Sequence, residues 1–238
     1  MNDTRPQPGR DPERIESMFD AIVPHYDLMN RVMTAGLDRR WRAAAAAVAA
    51  PPPGAPILDA CCGSGDLVLA LARTHPASPL TGIDFSASML DLARDKAARA
   101  GVAADFVRGD LLALPFDDGV FGAVSVGWGV RNVADLDRAF AEMVRVARAG
   151  ARVVCLEATT PASAVGRRFH AVWFDRIVPA MGALAGAAEA YAYLPASVRS
   201  FPDVERLAAI MRSAGLDRVR YQRFGLGAMA LHVGEVRA

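Results

Sequence analysis

The sequence predicts an α/β fold in which a mostly parallel seven-stranded sheet carries helices on both faces. Three observations lead there. Apolar runs alternate with helical patterns between residues 56 and 158, an aspartate stands at or just beyond the end of each of the first three runs, and two more strand-like runs close the chain. Strands alternating with helices imply crossover connections and parallel pairing. The commonest such architecture is Rossmann-like and binds its ligand beyond the carboxyl ends of the strands.

Taken in order, residues 1–13 are polar and read as a flexible tail, and residues 14–50 as an N-terminal helical segment that stops at Pro51-Pro52-Pro53. Residues 56–60 read as a buried strand, 67–73 as a helix and 80–84 as a second strand. Ser86 is a candidate N-cap, because its hydroxyl can accept from the free N–H groups of a first turn; the helix then runs to about residue 100, with Gly101 as its stop. Strands follow at 104–108, 121–126 and 151–158, with a helix over about 135–146 halted at Gly150. Beyond Pro161 the pattern changes. Residues 161–200 read as a helical insertion, with Phe169, Trp173 and Ile177 at near four-residue spacing and a loop at 191–195. A helix over 201–214 and strands at 219–224 and 228–236 complete one domain from residue 14 to 238.

At 53% hydrophobic and 22% charged residues, the chain has the composition of a globular protein. A formal net charge of +1 gives no whole-chain attraction to nucleic acid. Lys96 is the sole lysine, a bias read as genomic base composition. The first residues lack the apolar core of a secretory signal, and no run reaches the ~18 apolar residues of a membrane span. Three cysteines, two of them the adjacent Cys61 and Cys62, suit a reducing cytoplasm and are read as packing residues. No cysteine or histidine falls in a zinc-ligand spacing, so no metal is expected.

The sharpest motif is Asp59-Ala60-Cys61-Cys62-Gly63-Ser64-Gly65-Asp66, an acid on a strand followed by a short glycine turn that opens a helix. A dinucleotide site wants a third glycine where Val68 stands, which weakens a nicotinamide dehydrogenase reading. The pattern suits S-adenosylmethionine (SAM). Asp59 can attract its ammonium, and the turn's N–H groups can face its carboxylate. Asp84, about 20 residues after the turn, can accept from ribose hydroxyls. Asp110 can accept from the adenine amino group. Taken singly, each acid is as readily a helix cap.

Other segments resemble the ubiquinone/menaquinone biosynthesis C-methyltransferase family over residues 18–235. They are Met18-Phe19-Asp20, His25-Tyr26-Asp27-Leu28-Met29-Asn30-Arg31, Gly36-Leu37-Asp38 with Trp41-Arg42, Leu114-Pro115-Phe116, Trp128-Gly129-Val130-Arg131-Asn132-Val133 and Tyr193-Leu194-Pro195-Ala196-Ser197. The chain departs from the family at Ser64, where threonine is usual, at Trp128, where phenylalanine is usual, and at Arg148-Ala149-Gly150-Ala151, which lacks the usual proline.

The resemblance implies a class I SAM-dependent methyltransferase fold. Its cofactor residues would be Asp59, Gly63, Ser64, Gly65, Asp84, Phe85, Asp110, Leu111 and Gly127. It implies ring methylation of a prenylated quinol, with Arg131, Asn132 and Tyr26 orienting the reacting hydroxyl. His25 is the candidate base, because its ordinary pKa suits neutral pH. Tyr191, Tyr193, Ser197 and Arg199 are candidates for the substrate side. For each there is a plainer reading: Arg131 paired with Asp135 or Asp137, Tyr26-Asp27 as packing residue and cap, His25 as a solvated histidine. Demethylmenaquinol is the expected substrate and 2-methoxy-6-polyprenyl-1,4-benzoquinol the alternative. A methyltransferase acting on O or N, or a non-catalytic subunit, also fits parts of the pattern. The expected partners are the quinol, a bilayer touched peripherally at the inner face of the cytoplasmic membrane, and a second copy of the chain.

Overall fold

The computed structural model describes residues 15, 17–18, 20, 22–23, 26–184 and 188–237. The expected tail and His25 lie outside them. Residues 15, 17–18, 20 and 22 are helical, and after them come α1 (Tyr26–Met33) and α2 (Asp38–Ala49). Then follow β1 (Ile57–Ala60), α3 (Asp66–Thr74), β2 (Leu80–Asp84), α4 (Ala87–Ala100), β3 (Asp105–Arg108) and β4 (Phe121–Gly127). A 3-10 turn, Val130–Asn132, precedes α5 (Leu136–Val146) and β5 (Ala147–Ala158). The insertion folds as α6 (Ala164–Val172), a π-turn (Trp173–Ile177), α7 (Val178–Leu184) and α8 (Ala188–Ser200). The chain ends with α9 (Val204–Ser213), β6 (Leu216–Phe224) and β7 (Met229–Val236).

The strands form one seven-stranded sheet, ordered β3-β2-β1-β4-β5-β7-β6, in which β7 runs antiparallel to both neighbours. Successive residues of a strand point to opposite faces, and here both faces are covered, so the central strands read as unbroken apolar runs. Ile57, Ala123 and Val154 pack on one side with α2 and α3. Leu58, Val124 and Val153 pack on the other with Phe140 and Met143 of α5 and Leu207 and Met211 of α9. Between β1 and β4 the strand order reverses, which opens a crevice at their carboxyl ends.

Ser86 caps α4 by accepting from the Met89 N–H, and Gly101 ends it at φ +64°, both as the sequence predicts. Gly150 does not stop α5, which already ends at Val146. It makes a left-handed turn at φ +76° within β5, where the register to β4 jumps from Phe121↔Ala147 to Ala123↔Arg152. The loop expected at 191–195 is helical, with Pro195 inside α8. A proline removes one backbone hydrogen bond. The packing of α8 against α7 and the π-turn outweighs that loss. The helix expected from residue 201 starts at Val204, behind the cap Asp203.

Candidate active site

A cavity of about 320 Å³ lies at the carboxyl ends of β1, β2 and β4, and the sheet supplies most of its polar groups. Asp59 of β1 is 1% exposed and accepts from the Ser125 hydroxyl of β4 at 2.7 Å. Burial, opposed by Ser125 and Arg42, pushes its carboxyl up to about 7. Its other oxygen, Oδ2, is buried with no hydrogen-bond partner among the described residues. Asp84 ends β2 and ties the glycine turn down, accepting from Gly63 N–H at 2.8 Å and Ser86 N–H at 3.0 Å. Asp110, beyond β3, is exposed at the rim and accepts from Leu112 N–H at 2.9 Å.

The turn between β1 and α3 requires unusual backbone. Cys61, Gly63 and Gly65 all have positive φ, and Trp128 at the end of β4 does too. A Cβ on Gly129 would lie 2.3 Å from the Cβ of Cys61, so only glycine lets these two strand ends approach. Burial and the neighbouring carboxylates raise the Cys61 and Cys62 thiols well above their ordinary value, so neither is an activated nucleophile.

The N-terminal segment is fastened over this turn. Lys96 of α4 ion-pairs with Asp27 of α1 at 2.8 Å and with Asp66, and stands 3.1 Å from the Ser64 hydroxyl. Ser64 itself donates to Asp27 at 2.8 Å. Asp20 accepts from Ser86 and Ser88. The sole lysine is therefore a structural clasp at the glycine turn, where composition alone had suggested no role.

A second cavity, of about 420 Å³, adjoins the first and shares Tyr26, Arg42 and Trp128 with it. Its lining is mainly apolar, including Met18, Ile22, Met33, Trp41, Phe174 and Met229. Arg131 enters from the 3-10 turn. Its Nη1 donates to Glu157 at 2.8 Å and to the Trp128 carbonyl at 2.6 Å, while its buried Nε has no partner among the described residues. Tyr193 of α8 donates to Asn132 Oδ1 at 3.3 Å, a bond that spans the two cavities. Burial pushes the Tyr26 phenol above its ordinary value, so it serves as a neutral hydroxyl.

Asp59, Gly63, Ser64, Asp84, Phe85, Asp110, Leu111, Gly127, Asn132 and Tyr26 all line the first cavity. Tyr26, Arg131 and Tyr193 line the second. Gly65 lines neither; it serves α3 packing, where a Cβ would meet Ala93 at 3.0 Å. Ser197 is buried and donates to the Leu194 carbonyl, and Arg199 is exposed; neither lines either cavity. The Tyr191 side chain is outside the described part. Arg131 pairs with neither Asp135 nor Asp137: Asp135 caps α5, and the partner is Glu157 at the end of β5. Glu157, Ser125 and Arg42 were missed. Glu157 and Ser125 had a signal, since each is a polar residue inside an apolar strand run.

The chemistry of this donor set fits SAM. Asp59 offers an unpartnered buried oxygen to an ammonium, Asp84 a carboxylate beside the glycine turn, and the rim an acid for an adenine amine. Fold and site together define a SAM-dependent methyltransferase. Two solved structures share the fold: the cyclase SpnF, with a TM-score of 0.71 at 17% identity over 94% of this chain and 95% of that one, and a SAM-dependent methyltransferase from Thermotoga maritima, with 0.65 at 18% identity over 92% and 98%. That one is a cyclase cautions against reading chemistry from the fold. The chain belongs to the ubiE/COQ5 methyltransferase family, whose model matches residues 9–236. It is 48% identical to a demethylmenaquinone methyltransferase of Roseiflexus castenholzii, over 96% of both chains. It is 42% identical to one from Deinococcus radiodurans, over 94% of this chain and 93% of that one. It is also 41% identical to a ubiquinone/menaquinone biosynthesis C-methyltransferase of Desulfotalea psychrophila, over 92% and 89%.

Proposed function

We propose that the protein methylates a ring carbon of a reduced prenylated quinol in respiratory quinone biosynthesis, with demethylmenaquinol as its substrate. The observation that carries this reading is the meeting of a polar, acid-lined cavity with an apolar one at Tyr26, Arg42 and Trp128. The names of the relatives above support the ring. SAM supplies an electrophilic methyl group.

An oxidised quinone ring is electron-poor, so the acceptor is the quinol. Overall the ring carbon exchanges hydrogen for methyl, the sulfonium becomes a neutral thioether, and one proton is released. Ionising a phenol of pKa ~10 at pH 7 costs about 4 kcal/mol. Arg131 offsets this with its unpartnered Nε–H, a charged donor available to the phenolate oxygen. Glu157 fixes that guanidinium through its Nη1. Tyr26 and the Asn132–Tyr193 pair orient the hydroxyl, and the apolar cavity excludes water and receives the start of the prenyl tail.

The tail also accounts for the rim of the apolar cavity. Among the described residues, apart from Tyr221, the exposed large apolar side chains are Leu28, Val32, Leu37, Val165, Phe169, Val172, Ile177 and Leu226, on the elements around its mouth. Arg31, Arg39, Arg40, Arg167, Arg168 and Arg176 are exposed on the same elements. An apolar rim flanked by arginines suits the surface of an anionic bilayer. No helix of the described residues is long and apolar enough to cross one. A homodimer is the competing use of this surface.

The deciding assay is incubation with labelled SAM and each reduced ring. Demethylmenaquinol gains a ring methyl; label on oxygen, or none, removes the reading. Co-sedimentation with phosphatidylglycerol vesicles tests the rim, and a Phe169→Glu/Leu226→Glu variant should remain in the supernatant.

A further inference from the structure

The donor assigned above carries a carboxylate as well as an ammonium, and the two are one carbon apart. Whatever draws the ammonium to Asp59 therefore brings the carboxylate close to the same acid. The polar cavity is lined by Asp59, Asp66, Asp84 and Asp110, so a second anion enters against repulsion unless a cation stands beside it. Among the described residues two cations line the cavity, Arg42 and Arg108. Arg108 donates from Nε to the Phe85 carbonyl, beyond β2 and β3, at the end of the cavity where Asp110 lies. Arg42 reaches in from α2 beside the glycine turn, its Nη2 3.5 Å from Asp66 at the start of α3.

From this placement we infer that Arg42 binds the donor's α-carboxylate, and that with Asp59 it forms a two-point site for a zwitterionic amino-acid end. The inference rests on the donor being SAM. The guanidinium is held ready for the task. It is 8% exposed as a residue, lies over the Trp128 ring at 4.7 Å from its centroid, and is anchored through Nη1 to Asp38 one helical turn earlier. Stacking and one anchored nitrogen fix the plane of the fork, so little side-chain freedom remains to be lost when an anion binds. Because Arg42 and Trp128 also wall the apolar cavity, the carboxylate contact sits at the seam between donor and acceptor.

Calorimetry with three ligands tests this. S-adenosylhomocysteine has both the ammonium and the carboxylate, decarboxylated SAM has the ammonium alone, and 5′-methylthioadenosine has neither. Arg42→Gln should weaken S-adenosylhomocysteine by roughly 10- to 100-fold, the loss of one charge-assisted contact. The other two should change by less than about 3-fold. Asp59→Asn should weaken the first two and spare the third. Removing Arg42 leaves Asp38 buried without its partner, so an Asp38→Asn/Arg42→Gln variant is measured in parallel and should show the same selectivity. Equal weakening of all three ligands, or none for S-adenosylhomocysteine, overturns the inference and leaves the donor assignment standing. A wild-type protein that binds none of the three overturns both.

Discussion

The two cavities meet at three shared side chains yet are built by different means. The polar one is assembled from strand ends: Asp59 and Asp84 sit on β1 and β2, and their carboxylates are fixed by Ser125 and by the N–H groups of Gly63 and Ser86. The apolar one is walled mainly by helices, α1, α2, α6, the π-turn and α8, over Ala158 of β5 and Met229 of β7, with Arg131 reaching in from a 3-10 turn. A parallel sheet holds its strand ends in a rigid array, which suits recognition of one invariant cofactor. Helices packed over that array can vary in sequence without disturbing it, which suits an acceptor that differs between relatives. On the function proposed above, the difference would put cofactor affinity in the first region and turnover in the second.

Arg131→Ala tests that division most severely. It should lower turnover by on the order of 1000-fold while changing SAM affinity by less than about 3-fold. It also leaves Glu157 buried without its partner, which costs roughly 3–5 kcal/mol. Adding Glu157→Gln should recover the melting temperature but not the turnover; recovery of both would make Arg131 purely structural.

Asp84→Ala is the converse. S-adenosylhomocysteine affinity should fall on the order of 100-fold by calorimetry, since the variant loses a charged acceptor and frees the glycine turn. Equal losses of cofactor affinity in Asp84→Ala and Arg131→Ala would abolish the distinction between the cavities.

Asp59 gives the comparison a pH axis. With its carboxyl at about 7 in the fold and near 3.8 when unfolded, the unfolded chain gives up this proton first as pH rises. Stability of the cofactor-free protein therefore falls between about pH 4 and 7, by on the order of 4 kcal/mol. Ligand affinity runs the other way, rising as pH passes 7, because the ammonium needs the carboxylate form. Asp59→Asn should raise the melting temperature of the cofactor-free protein at pH 8 and flatten the pH dependence of binding. A melting temperature that drops instead would contradict the burial argument.

The mildest change lies on the seam. Trp128→Phe keeps an aromatic ring and removes the Nε1–H contact to Met229 Sδ at 3.2 Å. It also weakens the Arg42 stack, worth about 0.5–1 kcal/mol. Both the Michaelis constant and turnover should move by no more than about 3-fold. A much larger loss would show that the indole, not its ring face, is required.

The sequence by itself determined the sheet core and the glycine turn beside it. A strand run between a proline and a glycine turn, a serine cap and an aspartate at a strand end are local codes, written within a few residues of where they act, and Asp59, Gly63, Asp84 and Ser86 obey them. The C-terminal antiparallel pair was legible for the same reason, with its ends displaced by a few residues. What only the tertiary structure decided depends on residues far apart in the chain. Glu157 meets Arg131 across 26 positions, Lys96 meets Asp27 across 69, and Tyr193 reaches Asn132 across 61. Pro195 reads locally as a loop and becomes helical because α8 gains more by packing on α7 than it loses in one hydrogen bond. Local propensity is a matter of fractions of a kcal/mol per residue, whereas burial of a side chain or an ion pair is worth several times that, so long-range partners settle which local reading survives.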